Sequence, residues 1–131
     1  MEYIRYIWPG FIEGEHHRVI AERLTAVAKG ELKRLIINMP PRHTKSEFAS
    51  IYFPSWMMGL QPNLKIMQTT HTADLSINFG RKVRNLMDTE EYTKIFQDVN
   101  LAADSKSAGK WQTSKGGEYF AAGVGGAIAG R

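Results

Sequence analysis

Leu35-Ile-Ile-Asn-Met-Pro-Pro-Arg-His-Thr-Lys-Ser-Glu-Phe48 is the stretch whose reading decides the fold. An apolar run of strand length, Leu35 to Ile37, breaks at Pro40-Pro41, and Lys45-Ser46 then opens a segment with helical spacing. The expectation is strand, loop, helix.

A loop of that kind has a specific chemistry. The first amides of a helix have no partner within the helix, and its dipole is positive at that end, so the turn is a seat for phosphate. Lys45 would reach the β- and γ-phosphates of a nucleotide and the Ser46 hydroxyl would ligate Mg²⁺. The phosphate-loop pattern G-x-x-x-x-G-K-[ST], the Walker A motif, is met only in its last two positions. Met39 stands at the first glycine and Thr44 at the second. A threonine held at positive φ costs about 1 to 2 kcal/mol, so the loop either takes another path or binds nucleotide less tightly. The same Lys-Ser pair also serves simply to start a surface helix.

On the N-terminal side, Glu15 to Lys29 carries Ile20, Leu24 and Val27 at i, i+4 and i+7, with Gly30 placed to end a helix. His16 and His17 are adjacent and point about 100° apart on a helix, which is poor geometry for chelating one ion. Surface or half-buried histidines are expected there. Residues 1–14 mix Tyr3, Tyr6, Trp8 and Phe11 with a Pro9-Gly10 turn and show no period, so they read as an arm.

On the C-terminal side, the helix beginning at Lys45 carries Phe48, Ile51 and Tyr52 on one side and meets Pro54, which has no N–H for the Ser50 carbonyl. A kink or a fresh helical turn through Trp56-Met57-Met58 is expected there. Leu64 to Thr70 reads as a second strand, and Thr72 caps a helix whose stripe is Leu75, Phe79, Val83 and Leu86. Strand, helix, strand, helix implies a parallel sheet with ligands at the carboxyl ends of its strands, which makes Thr70 and His71 supporting candidates beside a plain capping role. Arg81, Lys82 and Arg84 crowd the outer side of that helix, either as a solvated face or as a contact for phosphate backbone. Thr89-Glu90-Glu91 suits the start of a short helix through Phe96. Residues 106–110 read as a polar loop. Trp111 to Ser114 and Tyr119 to Ala122 then face each other as a hairpin, and a glycine-rich end follows through Arg131. The organisation expected is one partial domain over residues 1–131: an arm (1–14), a βα core (15–105), and a hairpin with its glycine-rich end (106–131).

The chain of 131 residues has 17 Lys and Arg against 13 Asp and Glu, a net charge of +4. Its pI near 9.4 is a mild basic excess that suits nucleotide or nucleic acid and falls short of a polybasic footprint. The absence of cysteine excludes disulfides and thiolate metal sites. No apolar run approaches the roughly 20 residues of a membrane helix, and no signal peptide is legible, so the cytoplasm is expected and a membrane is not. A phosphate-loop NTPase also needs an acidic residue ending a second apolar strand to hold Mg²⁺. Asp74, Asp88, Asp98 and Asp104 are the carboxylates available, and none follows such a run.

Taken together, Met39-Pro-Pro-Arg-His-Thr-Lys-Ser-Glu, Phe53-Pro-Ser-Trp56, Phe79-Gly-Arg81 to Asn85, and Tyr119-Phe-Ala-Ala-Gly-Val-Gly-Gly to Gly130-Arg131 resemble the large terminase subunit of tailed double-stranded DNA bacteriophages. That protein is a DNA-packaging ATPase, and the likeness covers residues 11–131. It implies an α/β fold, a P-loop NTPase-type parallel sheet flanked by helices, incomplete here and carrying a C-terminal β-hairpin. It implies ATP and Mg²⁺ as cofactors, with Pro41, Arg42, His43, Thr44, Lys45 and Ser46 lining the phosphates and Ser46 on the metal. Lys45 and Arg42 would be the catalytic charges. The stretch from Phe11 to His17 would lie near the adenine, and Arg131 could sense the γ-phosphate. Partners implied are double-stranded phage DNA, the small terminase subunit and the portal protein, in a bacterial host cytoplasm.

The family's acidic strand, catalytic Glu and nuclease domain lie past this Gly-Arg. The chain is accordingly expected to be an N-terminal piece, from a truncated prophage gene or an expressed fragment, with an open sheet edge prone to self-association. The alternative is a non-catalytic relic, or a module contacting DNA or protein, with a vestigial loop.

Overall fold

A computed structural model describes residues 2–11, 13–39, 47–106 and 108–124, with the backbone alone for 103–106. The chain divides into two units, Met1–Phe53 and Pro54–Arg131.

In the first unit, the apolar spacing of residues 15–28 forms helix α2 (Glu15–Ala28), which buries His17, Ile20 and Leu24. Gly30 ends it at φ +79°. The Gly30 amide bonds the Val27 carbonyl and the Glu31 amide bonds Ala26, the paired reversed bonds of a Schellman motif. The aromatic arm is not irregular as expected: helix α1 (Glu2–Ile7) forms within it and buries Ile4. Ile4, Ile20, Leu24 and Phe48 make the core, with Phe11, Leu35, Ile37, Met39 and Tyr52 packed around them. Burying each such large side chain stabilises by about 1.5 to 3 kcal/mol. The segment between the two helices is fixed by charge, since Glu13 accepts from Arg5 at 2.8 Å and from Arg18 at 2.6 Å. These hydrogen bonds hold the Glu13 carboxyl well below its ordinary range, at about 2.

The strand expected at Leu35–Ile37 is absent. Residues 34–39 carry neither helix nor strand. Burial nevertheless alternates through them: Leu35, Ile37 and Met39 pack on the core while Ile36 is 84% exposed. The period is that of a strand, but among the described residues no neighbour supplies a ladder of hydrogen bonds.

Ahead of Pro54 the structure places a π-helical turn over Phe48–Tyr52. The Phe53 amide reaches back to the Phe48 carbonyl, five residues away, immediately before the proline that has no amide to offer. Helix α3 follows (Phe53–Leu60).

The second unit is built on strand β1 (Lys65–Thr70), helices α4 (Ala73–Met87) and α5 (Glu90–Ile95), and strands β2 (Leu101–Lys106), β3 (Lys110–Thr113) and β4 (Glu118–Gly123). The sheet order is β1-β4-β3-β2. Only β1 and β4 are parallel; β4 with β3 and β3 with β2 are antiparallel, so the sheet is mixed and the expectation of a parallel one is corrected. The reason lies in the connections. Short turns join β2, β3 and β4 in sequence, and a turn that short can only reverse the chain. The long connection, carrying α4 and α5, runs from β1 to β2 at the other end of the sheet, and the two reversals that follow bring β4 beside β1 and parallel to it.

The expected hairpin is present. The Thr113 amide donates to the Gly117 carbonyl and the Gly116 amide to Thr113, closing a three-residue loop with Gly116 at φ +89°. Strand β2, in contrast, has no counterpart in the sequence reading, which assigns no element to residues 101–105 and places Lys106 in a loop. The second unit is therefore mixed α/β, with α4 packed on the β1–β4 pair. Among the described residues no helix is long and apolar enough to cross a membrane.

Helix α4 rotates away from its sequence reading. Its buried residues are Ser76, Gly80, Val83 and Met87, not the Leu75, Phe79, Val83, Leu86 stripe, and Leu75 is 44% exposed. Small residues face the sheet because the sheet comes close. A Cβ on Gly80 would lie 2.6 Å from the Ala108 carbonyl oxygen and 2.7 Å from the Tyr119 ring. The Trp111 indole, stacked on Tyr119 at 5.0 Å between ring centres, donates to the Gly80 carbonyl at 3.3 Å.

Candidate functional site

Residues Pro41, Arg42, His43, Thr44, Lys45 and Ser46, which carry the phosphate and metal assignments, lie outside the described residues, as does Arg131. What the structure gives are the anchors on either side of the loop. Met39 packs against the first unit's core, and Phe48 belongs to that core at 2% exposure. Both ends of the intervening segment are thereby held by one apolar cluster.

His17 is placed within the same cluster. It is 5% exposed, more enclosed than the surface or half-buried position expected of it. Its ring meets Phe11 edge-on at 4.6 Å and stacks with Phe48 at 5.1 Å. Nδ1 accepts the Gly14 amide at 2.8 Å, so that nitrogen carries no proton. Gly14 is the N-cap of α2 and His17 its third helical residue, the position from which Glu or Gln ordinarily reaches back in a capping box. Histidine does that work here. The neighbouring rings extend the cluster outward, with Trp8 5.1 Å from Phe11 and stacked on Tyr52 at 5.7 Å. His16 stands 3.8 Å from His17, ring centre to ring centre.

In the second unit, Thr70 ends β1 and His71 follows it, exposed, in the turn into α4. The Thr70 hydroxyl lies 2.6 Å from both the Thr72 carbonyl and the Ser76 hydroxyl, and Ser76 donates to the Ala122 carbonyl at 2.8 Å. Thr70 donates to the Thr72 carbonyl and Ser76 to the Ala122 carbonyl, which uses the single proton of each hydroxyl. The Thr72 side chain caps α4 by accepting the Leu75 amide at 3.3 Å. The backbone there is close-packed, since a Cβ on Gly123 would lie 2.5 Å from the Ala73 amide nitrogen. Thr70 and Thr72 thus brace the carboxyl end of the parallel pair. Ser76 was missed in the sequence reading; a serine standing one position off an apolar stripe was the signal available.

Asp74 and Asp98 are exposed, Asp88 is the exposed C-cap of α4, and Asp104 lies on β2 with its side chain outside the described residues. Among the described residues no group of three or more His, Cys, Asp or Glu is placed to hold a metal ion. No family model, curated protein or solved structure matches the chain.

Proposed function

We propose that this chain is the nucleotide-binding N-terminal part of a phage terminase large subunit, seating ATP with Mg²⁺ on Pro41 to Ser46 to drive packaging of double-stranded DNA. The observation that carries the reading is the block Met39-Pro-Pro-Arg-His-Thr-Lys-Ser-Glu47. Its donor set suits a metal-bound triphosphate: two cations, Arg42 and Lys45, for the phosphate oxygens and a hydroxyl, Ser46, for the metal. The anchoring of Met39 and Phe48 in one cluster supports it, because a loop with fixed ends loses less entropy when it closes on a ligand.

In this reading Lys45 and the backbone amides ahead of it hold the β- and γ-phosphates, Arg42 adds a second positive charge, and Mg²⁺ supplies neutralisation of the phosphate oxygens. His17 is a positioning residue. It fixes the start of α2 and packs on Phe11 and Phe48, so it acts on the loop through those rings. DNA, the small terminase subunit and the portal belong to the same proposal, as does a bacterial host cytoplasm.

Calorimetric titration with ATP and Mg²⁺ tests it. Wild type is expected to bind, Lys45→Ala to lose binding, and Thr44→Gly, which relieves the β-branched residue at the second glycine position, to bind more tightly. Equal binding by wild type and Lys45→Ala would remove the phosphate assignment.

A further inference from the structure

Helix α4 carries Arg81, Lys82 and Arg84 within one turn, and no acidic residue occurs between Leu75 and Met87. Asn78, Arg81, Lys82 and Asn85 fall at i, i+3, i+4 and i+7, one stripe on the side opposite the buried Ser76, Gly80, Val83 and Met87. Arg81, Lys82 and Asn85 are exposed. The contrast with the first unit is direct. There Arg5 and Arg18 are neutralised by Glu13, whereas among the described residues no ion pair involves Arg81 or Lys82. Arg81 instead points toward the Asn78 amide oxygen at 3.5 Å, and Arg84 toward Asn85 at 3.3 Å.

We infer that this stripe is a sequence-independent contact for the phosphate backbone of nucleic acid. Arginine, lysine and asparagine are the side chains that position a protein on phosphates, and the exposed carboxylates on this side of α4, Asp74 and Asp88, stand at its two ends rather than between the cations. A membrane surface is the poorer fit, because an interfacial helix needs its apolar face free and that of α4 is spent on the sheet. The stripe carries no aromatic ring, so it offers no platform for unstacked bases and reads backbone charge alone. This assignment rests on the charge and exposure of α4 and is independent of the nucleotide loop, so either can fail without the other.

The test is binding of the full chain, without nucleotide, to two fluorescent DNA duplexes of unrelated sequence, titrated with salt. Wild type is expected to bind both equally, with affinity falling steeply between about 50 and 200 mM salt. R81Q/K82Q should bind at least about tenfold more weakly, with the slope of log affinity against log salt reduced by about two. R81K/K82R should keep wild-type binding, and K94Q/K115Q, which removes the same charge from other exposed positions, should change the slope less. Unchanged melting temperatures establish that the variants fold. The inference is overturned if wild type does not bind at low salt, if R81Q/K82Q keeps the wild-type slope, if K94Q/K115Q is equally impaired, or if the stripe is needed for anionic vesicles and not for duplex.

Discussion

At the scale of single residues, His17 shows how a side chain that resembles a ligand contact takes on a structural duty. Its Nδ1 holds the N-cap amide of α2 and its ring fills the space between Phe11 and Phe48. His17→Ala is expected to destabilise the first unit by about 2 to 4 kcal/mol, combining a lost buried hydrogen bond with a cavity. His17→Gln, whose amide can reach the Gly14 N–H, should recover part of that loss. Urea denaturation measures both, and an Ala variant as stable as wild type would refute the capping role. Little of this was legible in the sequence. A histidine replacing Glu or Gln in a capping box has no separate signal. Thr72 was easier, because a threonine just ahead of a helical stripe is a familiar start, whereas the Thr70 hydroxyl turns to the Thr72 carbonyl and Ser76 instead of capping the helix.

Among the elements, α4 was found in the sequence and its facing was not. Hydrophobic periodicity places the heaviest apolar residues inward, yet closest approach to the sheet selects Ser76 and Gly80 instead. Gly80→Ala makes the competition measurable. Helix propensity favours alanine by about 1 kcal/mol. The new Cβ would meet a backbone carbonyl oxygen at 2.6 Å, which cannot rotate away, and overpacking of that kind costs about 1 to 3 kcal/mol. The expected net effect is a loss of up to about 2 kcal/mol with a disturbed Trp111 fluorescence, and a stabilised variant would show the approach to be looser. The segment 34–39 failed differently. Its alternation reflects packing on one side, and periodicity alone cannot report whether a partner strand is present. Strand β2 has the reverse history: Leu-Ala-Ala-Asp-Ser-Lys lacks β-branched residues, and its pairing with β3 decides its state.

For the whole molecule, sequence order allowed an α/β class to be read but not the mixed sheet, because strand direction depends on which strands become neighbours. Among the described residues β1 stands at one end of that sheet with Met67 44% exposed on it, and such an edge offers backbone groups and an apolar side chain to another chain. Sedimentation velocity is expected to show mass rising with concentration, and Met67→Lys to reduce it; a monomer at all concentrations would contradict this. The central claim concerns the amides ahead of Ser46 and the ammonium of Lys45. Hydrogen–deuterium exchange of the peptide spanning residues 39–48, with and without ATP and Mg²⁺, tests that claim most directly. The account predicts slower exchange on adding nucleotide in wild type and none in Lys45→Ala; unchanged exchange in wild type at saturating nucleotide would contradict it.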